Sequence, residues 1–153
     1  MKNIYLQLTD SENSMTGLVL ATVAAVSGST PQKPGSSAIF AGGRLIAGTV
    51  GGGIIENRVA HYSASCYEGK ESALLTYNLD KDTDSPEEAV CGGTISILVD
   101  GDPLASMKAF REMEQGIRAG QPGVLVTRVV PWNDTQVLIK RCWATGCCDL
   151  QLP

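Results

Sequence analysis

Three short segments contain the residues of this sequence whose types and spacing could do chemistry. They are residues 28–31 (GSTP), residues 51–53 (GGG) with Glu56 just beyond, and residues 91–93 (CGG). Glycine lets the backbone adopt positive φ and lets another group approach closely. Hydroxyl groups and unpaired backbone N–H groups bind anions, and a thiol can act as a nucleophile or a metal ligand. These residue types therefore suggest binding of an anion, or chemistry at a thiol.

The glycine triplet separates a predicted strand from a predicted helix. An apolar run ends at Val50 and, after the glycines, apolar residues recur on one helical face: Ile55, Val59, Tyr62 and Cys66. A helix that begins at such a turn directs free N–H groups and a partial positive charge at an anion such as a phosphate or a carboxylate. The alternative is a tight turn that binds nothing.

Glu56 has two interpretations. If Gly53 is the N-cap, the Glu56 carboxylate is positioned to reach back to a free backbone N–H group and cap the helix. In the second interpretation, Glu56 accepts a proton or contacts a ligand beside the turn. His61, the sole histidine of the sequence, falls in the middle of the same helix and is interpreted as structural or exposed.

The other two segments also leave alternatives open. Ser29, Thr30 and Lys33 could supply hydrogen bonds and one positive charge to an anion, or the hydroxyl groups could satisfy the loop's own backbone. The thiol of Cys91 precedes two residues that have no side chain to shield it. An exposed thiol near free N–H groups has a lowered pKa and becomes a nucleophile or a metal ligand, whereas a buried thiol is inert.

The hydrophobic pattern predicts the elements that must position these segments. Strands are predicted over residues 17–26, 36–41, 44–50, 73–79, 95–99, 124–130 and 137–140. Helices are predicted over residues 54–67, with Gly69 as C-terminal cap, and from Asp102 to Gly120, with one or two helical turns in residues 2–9. The fold class is α/β (or α+β), a single domain with a mixed β-sheet of about five to seven strands and two principal helices packed on it.

Composition excludes several classes of function. The net charge of the 153 residues is −4 and no basic run occurs, which argues against nucleic acid and membrane partners. A hydrophobic content of 43% is enough for a core. No signal peptide or transmembrane stretch is seen, so a cytoplasmic location is expected. Five cysteines without a CxxC pattern argue against a disulfide framework.

In this order and spacing, the three segments resemble the N-terminal domain of the xanthine dehydrogenase accessory (XdhC/CoxI) family, from about residue 15 to about residue 100. The resemblance implies a domain over residues 1–140 and leaves residues 141–153 as a Cys-rich tail that contains Cys142, Cys147 and Cys148. Typical members continue into a Rossmann-type domain, and no such domain is expected in this sequence.

The resemblance implies a chaperone rather than an enzyme. Its cargo would be the molybdenum cofactor, as molybdopterin or its nucleotide form. Its partners would be an apo molybdenum hydroxylase of the xanthine dehydrogenase or carbon monoxide dehydrogenase type and a cysteine desulfurase, with a homodimer as a further expectation. The implied cofactor-binding residues are Ser29, Thr30, Gly51, Gly52, Gly53, Glu56, Cys91, Gly92 and Gly93. Cys91 is also the implied metal contact.

Two other functions stay open beside this one. Many family members have Arg where Gln32 stands and Cys where Ile54 stands, which favours an interaction module that no longer binds the cofactor. An enzyme with Cys91 as nucleophile and Glu56 as base is the other alternative. The chemistry of the residues agrees in kind with the cofactor, because molybdopterin carries a phosphate and its metal centre favours sulfur ligands.

Overall fold

The computed structural model describes residues 3–11, 16–79 and 92–146, in which seven strands and three α-helices form. In chain order the elements are α1 (Ile4–Ser11), β1 (Leu18–Gly28), β2 (Ser37–Ala41), β3 (Arg44–Gly48), α2 (Gly53–Gly69), β4 (Ala73–Asn78), β5 (Gly93–Asp100), a 3₁₀ helix (Pro103–Ser106), α3 (Met107–Arg118), β6 (Val124–Pro131) and β7 (Val137–Ala144). The predicted combination of helices and sheet in one small α/β domain is confirmed.

Five strands form one sheet in the order β3-β2-β1-β5-β4, and the remaining two form a separate hairpin. All these pairs are antiparallel, whereas a mixed sheet was expected. The β2–β3 hairpin turns at Gly42 and Gly43, which both have positive φ. β3 and β4 do run in the same direction, as a helical crossover requires. However, α2 connects the two opposite edges of the sheet, so they never pair.

Both faces of the sheet are covered, because successive apolar residues of the inner strands point to opposite faces. One face packs on α2, and its buried residues include Val19, Ala21, Val23, Phe40, Ile55, Val59, Ile95 and Ile97. The other face packs on α1 and α3 through Leu8, Leu18, Leu20, Ile39, Met107 and Phe110. Among the described residues, no helix is long and apolar enough to cross a membrane.

Two helix ends differ from the prediction. α2 ends with Lys70, not Gly69, in the left-handed conformation, with φ 53°. The second predicted helix opens with Pro103 as expected, but its first turn is a 3₁₀ helix, and α3 begins at Met107. On this second helix Met107, Phe110 and Met113 are buried. Leu104 and Ile117 are exposed.

The hairpin of β6 and β7 is attached to the domain by a buried ion pair. The Arg141 guanidinium donates to the Asp100 carboxylate, and the two side chains are 2% and 4% exposed. Arg141 also lies over the Phe110 ring, 5.4 Å from its centroid. β7 therefore continues past the predicted boundary at residue 140, as far as Ala144. Residues 147–153, with Cys147 and Cys148, lie outside the described residues.

Candidate functional site

Strand direction brings the three glycine-containing segments to one end of the sheet. β1 and β3 run in the same direction and β5 runs in the opposite direction. Residues 28–31 follow the end of β1, residues 51–53 follow the end of β3, and Gly92 precedes β5. Cys91, the predicted thiol, lies outside the described residues, so its side chain has no described position.

The first and third segments are in direct backbone contact. The N–H group of Ser29 donates to the carbonyl oxygen of Gly92 over 2.9 Å, and Gly28 pairs with Gly93 across the strands. A Cβ atom at Gly28 would lie 2.7 Å from the Gly92 oxygen, and one at Gly93 would lie 2.5 Å from the Ser27 oxygen. Glycine is therefore required at both positions for the two chains to approach this closely.

The first segment also touches the glycine turn, which we define as residues 51–53. A Cβ atom at Gly51 would lie 3.3 Å from Cγ of Pro31. All three glycines of the turn have positive φ, at 145°, 69° and 49°. Cβ atoms at Gly52 and Gly53 would meet nothing within 4 Å, so open space lies in front of the turn. Residues 28–31 thus lie between the turn and Gly92.

The Glu56 carboxylate holds the glycine turn in place. Its Oε1 atom accepts hydrogen bonds from the Thr49 hydroxyl at 2.5 Å, from the Gly52 N–H at 3.0 Å and from the Val50 N–H at 3.3 Å. The capping interpretation is confirmed, although the N-cap residue is Gly52 and not Gly53. Thr49 was not predicted. Its signal was a hydroxyl residue two positions before Gly51, whose N–H group donates to the Thr49 hydroxyl.

The first turn of α2 still has unpaired donors. Within the part of the chain that the structure describes, the backbone N–H groups of Gly53, Ile54 and Ile55 have no acceptor. These groups point along the helix axis toward the open space, where the helix dipole favours negative charge. An anion could bind there without displacing Glu56, because the carboxylate uses the amides of Val50 and Gly52 instead.

The loop after β1 satisfies much of its own hydrogen bonding. The Thr30 hydroxyl donates to the Gln32 carbonyl oxygen at 3.0 Å, and the Ser36 hydroxyl donates to the Gln32 side chain at 3.0 Å. Thr30 thus follows the backbone-satisfying interpretation. Ser29 and Lys33 are exposed. Their side chains remain available to a ligand at this end of the sheet.

Two other titratable residues of α2, His61 and Cys66, are not part of the candidate site. His61 is exposed, in agreement with its predicted role. Cys66 is buried, and burial raises the pKa of its thiol to about 11, so it is an unreactive core residue. Among residues 3–11, 16–79 and 92–146, no cluster of three or more His, Cys, Asp and Glu side chains could hold a metal ion.

Comparisons with known proteins relate part of the chain to one family. The model of the XdhC and CoxI family matches residues 13–78, which include the first segment, the glycine turn and Glu56. The resemblance predicted from the sequence is thereby confirmed. No curated protein matches the chain in sequence.

One similar solved structure is described as a xanthine dehydrogenase from Bacillus halodurans. The two chains share 19% sequence identity with a TM-score of 0.75. The match covers 94% of this chain and 43% of the other, so this chain spans less than half the length of the solved one. At this identity the likeness concerns the fold.

Proposed function

We propose that this chain is an accessory protein of a molybdenum hydroxylase, which binds the molybdenum cofactor as cargo in the cytoplasm and delivers it to the apo-enzyme. The observation that carries the proposal is the meeting of three segments at one end of the sheet. Two of them lie in the region that matches the XdhC and CoxI family. The third begins with Cys91 and contacts the first through Gly92.

The donors at the site fit the phosphate of the cofactor. Three free N–H groups at the start of α2 face open space, and the exposed Lys33 adds positive charge to the neighbouring loop. Backbone donors and one lysine replace the arginine of typical family members. The cofactor would supply the metal and its sulfur chemistry. The chain's own part is to hold the phosphate and orient the pterin toward the thiol of Cys91.

In this proposal Glu56 is a positioning residue rather than a base. Its Oε1 atom accepts three hydrogen bonds from the residues of the turn, which fixes the amides that follow. These hydrogen bonds account for Glu56 by its contacts with the turn, and the accessory role needs no base at this position.

The test is a titration of purified protein with freshly released molybdenum cofactor, in which bound pterin is counted by its fluorescence after oxidation. The key variant is Gly52→Val, with Gly120→Val as its matched control. Both glycines have similar φ values, 69° and 66°, and a Cβ atom at either would meet nothing within 4 Å. Gly120→Val thus controls for a valine at positive φ, and only Gly52→Val obstructs the turn. Cys91→Ala tests the thiol separately.

The proposal expects stoichiometric binding by the wild type and by Gly120→Val, and at least tenfold weaker binding by Gly52→Val and by Cys91→Ala. Unchanged binding by both Gly52→Val and Cys91→Ala would show that the cofactor binds elsewhere on the protein. That result would contradict the proposed site but not the proposed cofactor binding. A wild type that binds no cofactor would contradict the proposed function. An interaction module that has lost the ligand would then be the better account.

A further inference from the structure

The outer surface of the β6–β7 hairpin is a second surface of interest, distant in sequence from the glycine turn. The strand register places the following residues on this side of the hairpin, which we call the hairpin face: Val124, Val126, Arg128, Val130, Leu138, Lys140, Cys142 and Ala144, of which Ala144 is buried. The opposite face of the hairpin packs on the domain. Leu125 contacts the core, Trp143 lies against Gly116, and Arg141 lies over Phe110.

Both ends of the hairpin face expose apolar side chains. Val124 is 63% exposed and Leu138 is 47% exposed. Beside Val124 lies a groove of about 460 Å³, lined by Pro122, Gly123, Val124, Val126, Ala144, Thr145 and Gly146. The apolar residues around this groove are neighbours on adjacent strands, and a contiguous apolar patch in a soluble protein marks a binding surface more often than isolated apolar residues do.

The centre of the hairpin face is cationic. Arg128 and Lys140 lie directly opposite each other in the register. Neither strand of the hairpin contains an acidic residue, although the whole chain has a net charge of −4. The third cation of the hairpin, Arg141, is neutralised behind the face by Asp100. Within the described residues the Arg128 side chain makes no ion pair or hydrogen bond, so its charge is available to a partner, whereas Lys140 already has an interaction of its own.

The positive charge of the hairpin face favours some binding partners over others. A second copy that used the same face would bring the Arg128 side chains of both copies together, and like charges at an interface oppose association. An occupant with carboxylates has the opposite charge. Along β6, Val126 and Arg128 are two residues apart, which corresponds to about 7 Å.

We propose that the hairpin face docks an acidic segment of a partner protein. The segment inserts an apolar side chain into the groove against Val126, and it presents a carboxylate to Arg128, about 7 Å further along β6. This inference concerns a surface separate from the glycine turn, and its test does not depend on the cofactor.

The experiment is a selection of phage-displayed random peptides on the wild-type protein, compared with the same selection on Arg128→Glu. The proposal expects wild-type enrichment of peptides with Asp or Glu two residues from a Leu, Ile or aromatic residue. Synthetic versions should bind by fluorescence polarisation, with affinity that falls as salt is raised. Arg128→Glu and Val124→Ser should each weaken binding at least about tenfold.

A matched control separates local from overall charge. Arg44→Glu changes the net charge by the same amount at the exposed edge strand β3, and it should leave binding unchanged. Circular dichroism of each variant checks its folding. Enrichment of the same peptides on wild type and Arg128→Glu would overturn the proposal. So would binding to vesicles of anionic phospholipid without any selected peptide, or self-association that Arg128→Glu abolishes in sedimentation.

Discussion

At the scale of single residues, the Glu56 carboxylate decides which backbone groups of the glycine turn remain available. It accepts hydrogen bonds from Thr49, Val50 and Gly52, so these three donors are occupied. Within the described residues, the amides that follow at the start of α2 remain unpaired. Sequence reasoning identified the cap because a glutamate shortly after a helix start is a local pattern. The use of Thr49 depends on how the chain enters the turn, and it was not predicted.

Replacement of Glu56 by Gln should destabilise the protein by about 1 kcal/mol, because the charged acceptor at the helix start is lost. Urea unfolding followed by circular dichroism measures the change. Glu68→Gln removes the same charge from an exposed position near the other end of α2, and it should have little effect. Equal stability of the two variants would contradict the capping role.

Cys66 should resist thiol reagents in the folded protein. Burial raises its pKa to about 11, so at pH 8 nearly all of it is the unreactive thiol, and its reactivity should rise with pH until that value. Mass spectrometry after timed alkylation measures the rate at each cysteine. Cys142 is less buried and provides the comparison. Equally fast labelling of the two would contradict the burial of Cys66.

At the scale of elements, the helix ends and the attachment of the β6–β7 hairpin differ most from what local sequence patterns predict. The C-cap of α2 is Lys70 in a left-handed conformation, although Gly69 precedes it. The Lys70 N–H donates to carbonyl groups of the last helical turn, so the helix includes the glycine and its cap lies one residue beyond. A glycine near a helix end indicates where a helix stops only to within a residue or two.

Lys70→Gly should therefore stabilise the protein by about 0.5–1 kcal/mol, because glycine adopts positive φ without the Cβ clash. Lys70→Ala is the control, since it removes the same side chain and its exposed ion pair with Asp102 but keeps the Cβ atom. Thermal unfolding of both variants measures the difference. A glycine variant no more stable than the alanine variant would contradict strain at this cap.

Removal of one partner of the Arg141–Asp100 ion pair should strongly lower the stability of the protein. Asp100→Asn leaves a buried guanidinium without its counter-charge, with an expected loss of about 3–5 kcal/mol. Hydrogen exchange should show that β6 and β7 lose protection before the five-stranded sheet does. Glu114→Gln, which removes a partner of the exposed Arg118, should change stability much less. Equal loss of protection in both sheets would contradict a local attachment.

At the scale of the whole molecule, strand order brings together segments that are far apart in sequence. Residues 28–31, the glycine turn and Gly92 meet because β1 and β3 end where β5 begins. The contact of Gly28 with Gly92 leaves no room for a side chain. The candidate site thus depends on backbone approach as much as on the functional groups themselves.

Gly28→Ala should destabilise the protein by about 1–3 kcal/mol more than Gly35→Ala. Both glycines have positive φ, but a Cβ atom would meet the Gly92 oxygen at 2.7 Å in the first case and nothing within 4 Å in the second. Chemical unfolding measures the two stabilities. Cofactor binding should weaken in the first variant alone. Equal stabilities would contradict the close approach of the two segments.

The sequence by itself determined the local features of this protein. The apolar runs set β1 and β5, the paired glycines set the β2–β3 hairpin, and the glycine triplet with Glu56 set the start of α2. These features depend on residues within one or two turns of each other, so propensity and spacing suffice to predict them. The family resemblance rested on the same local segments.

The tertiary structure alone decided the rest. The antiparallel order of the sheet, the contact of Gly28 with Gly93 and the burial of Arg141 against Asp100 join residues that are distant in the sequence. Such contacts are set by which faces pack and which strands become neighbours, and local patterns do not specify them. The three amides of α2 that stay unpaired are decided in the same way, because the path of the chain around the glycine turn directs Glu56 to the amides of Val50 and Gly52.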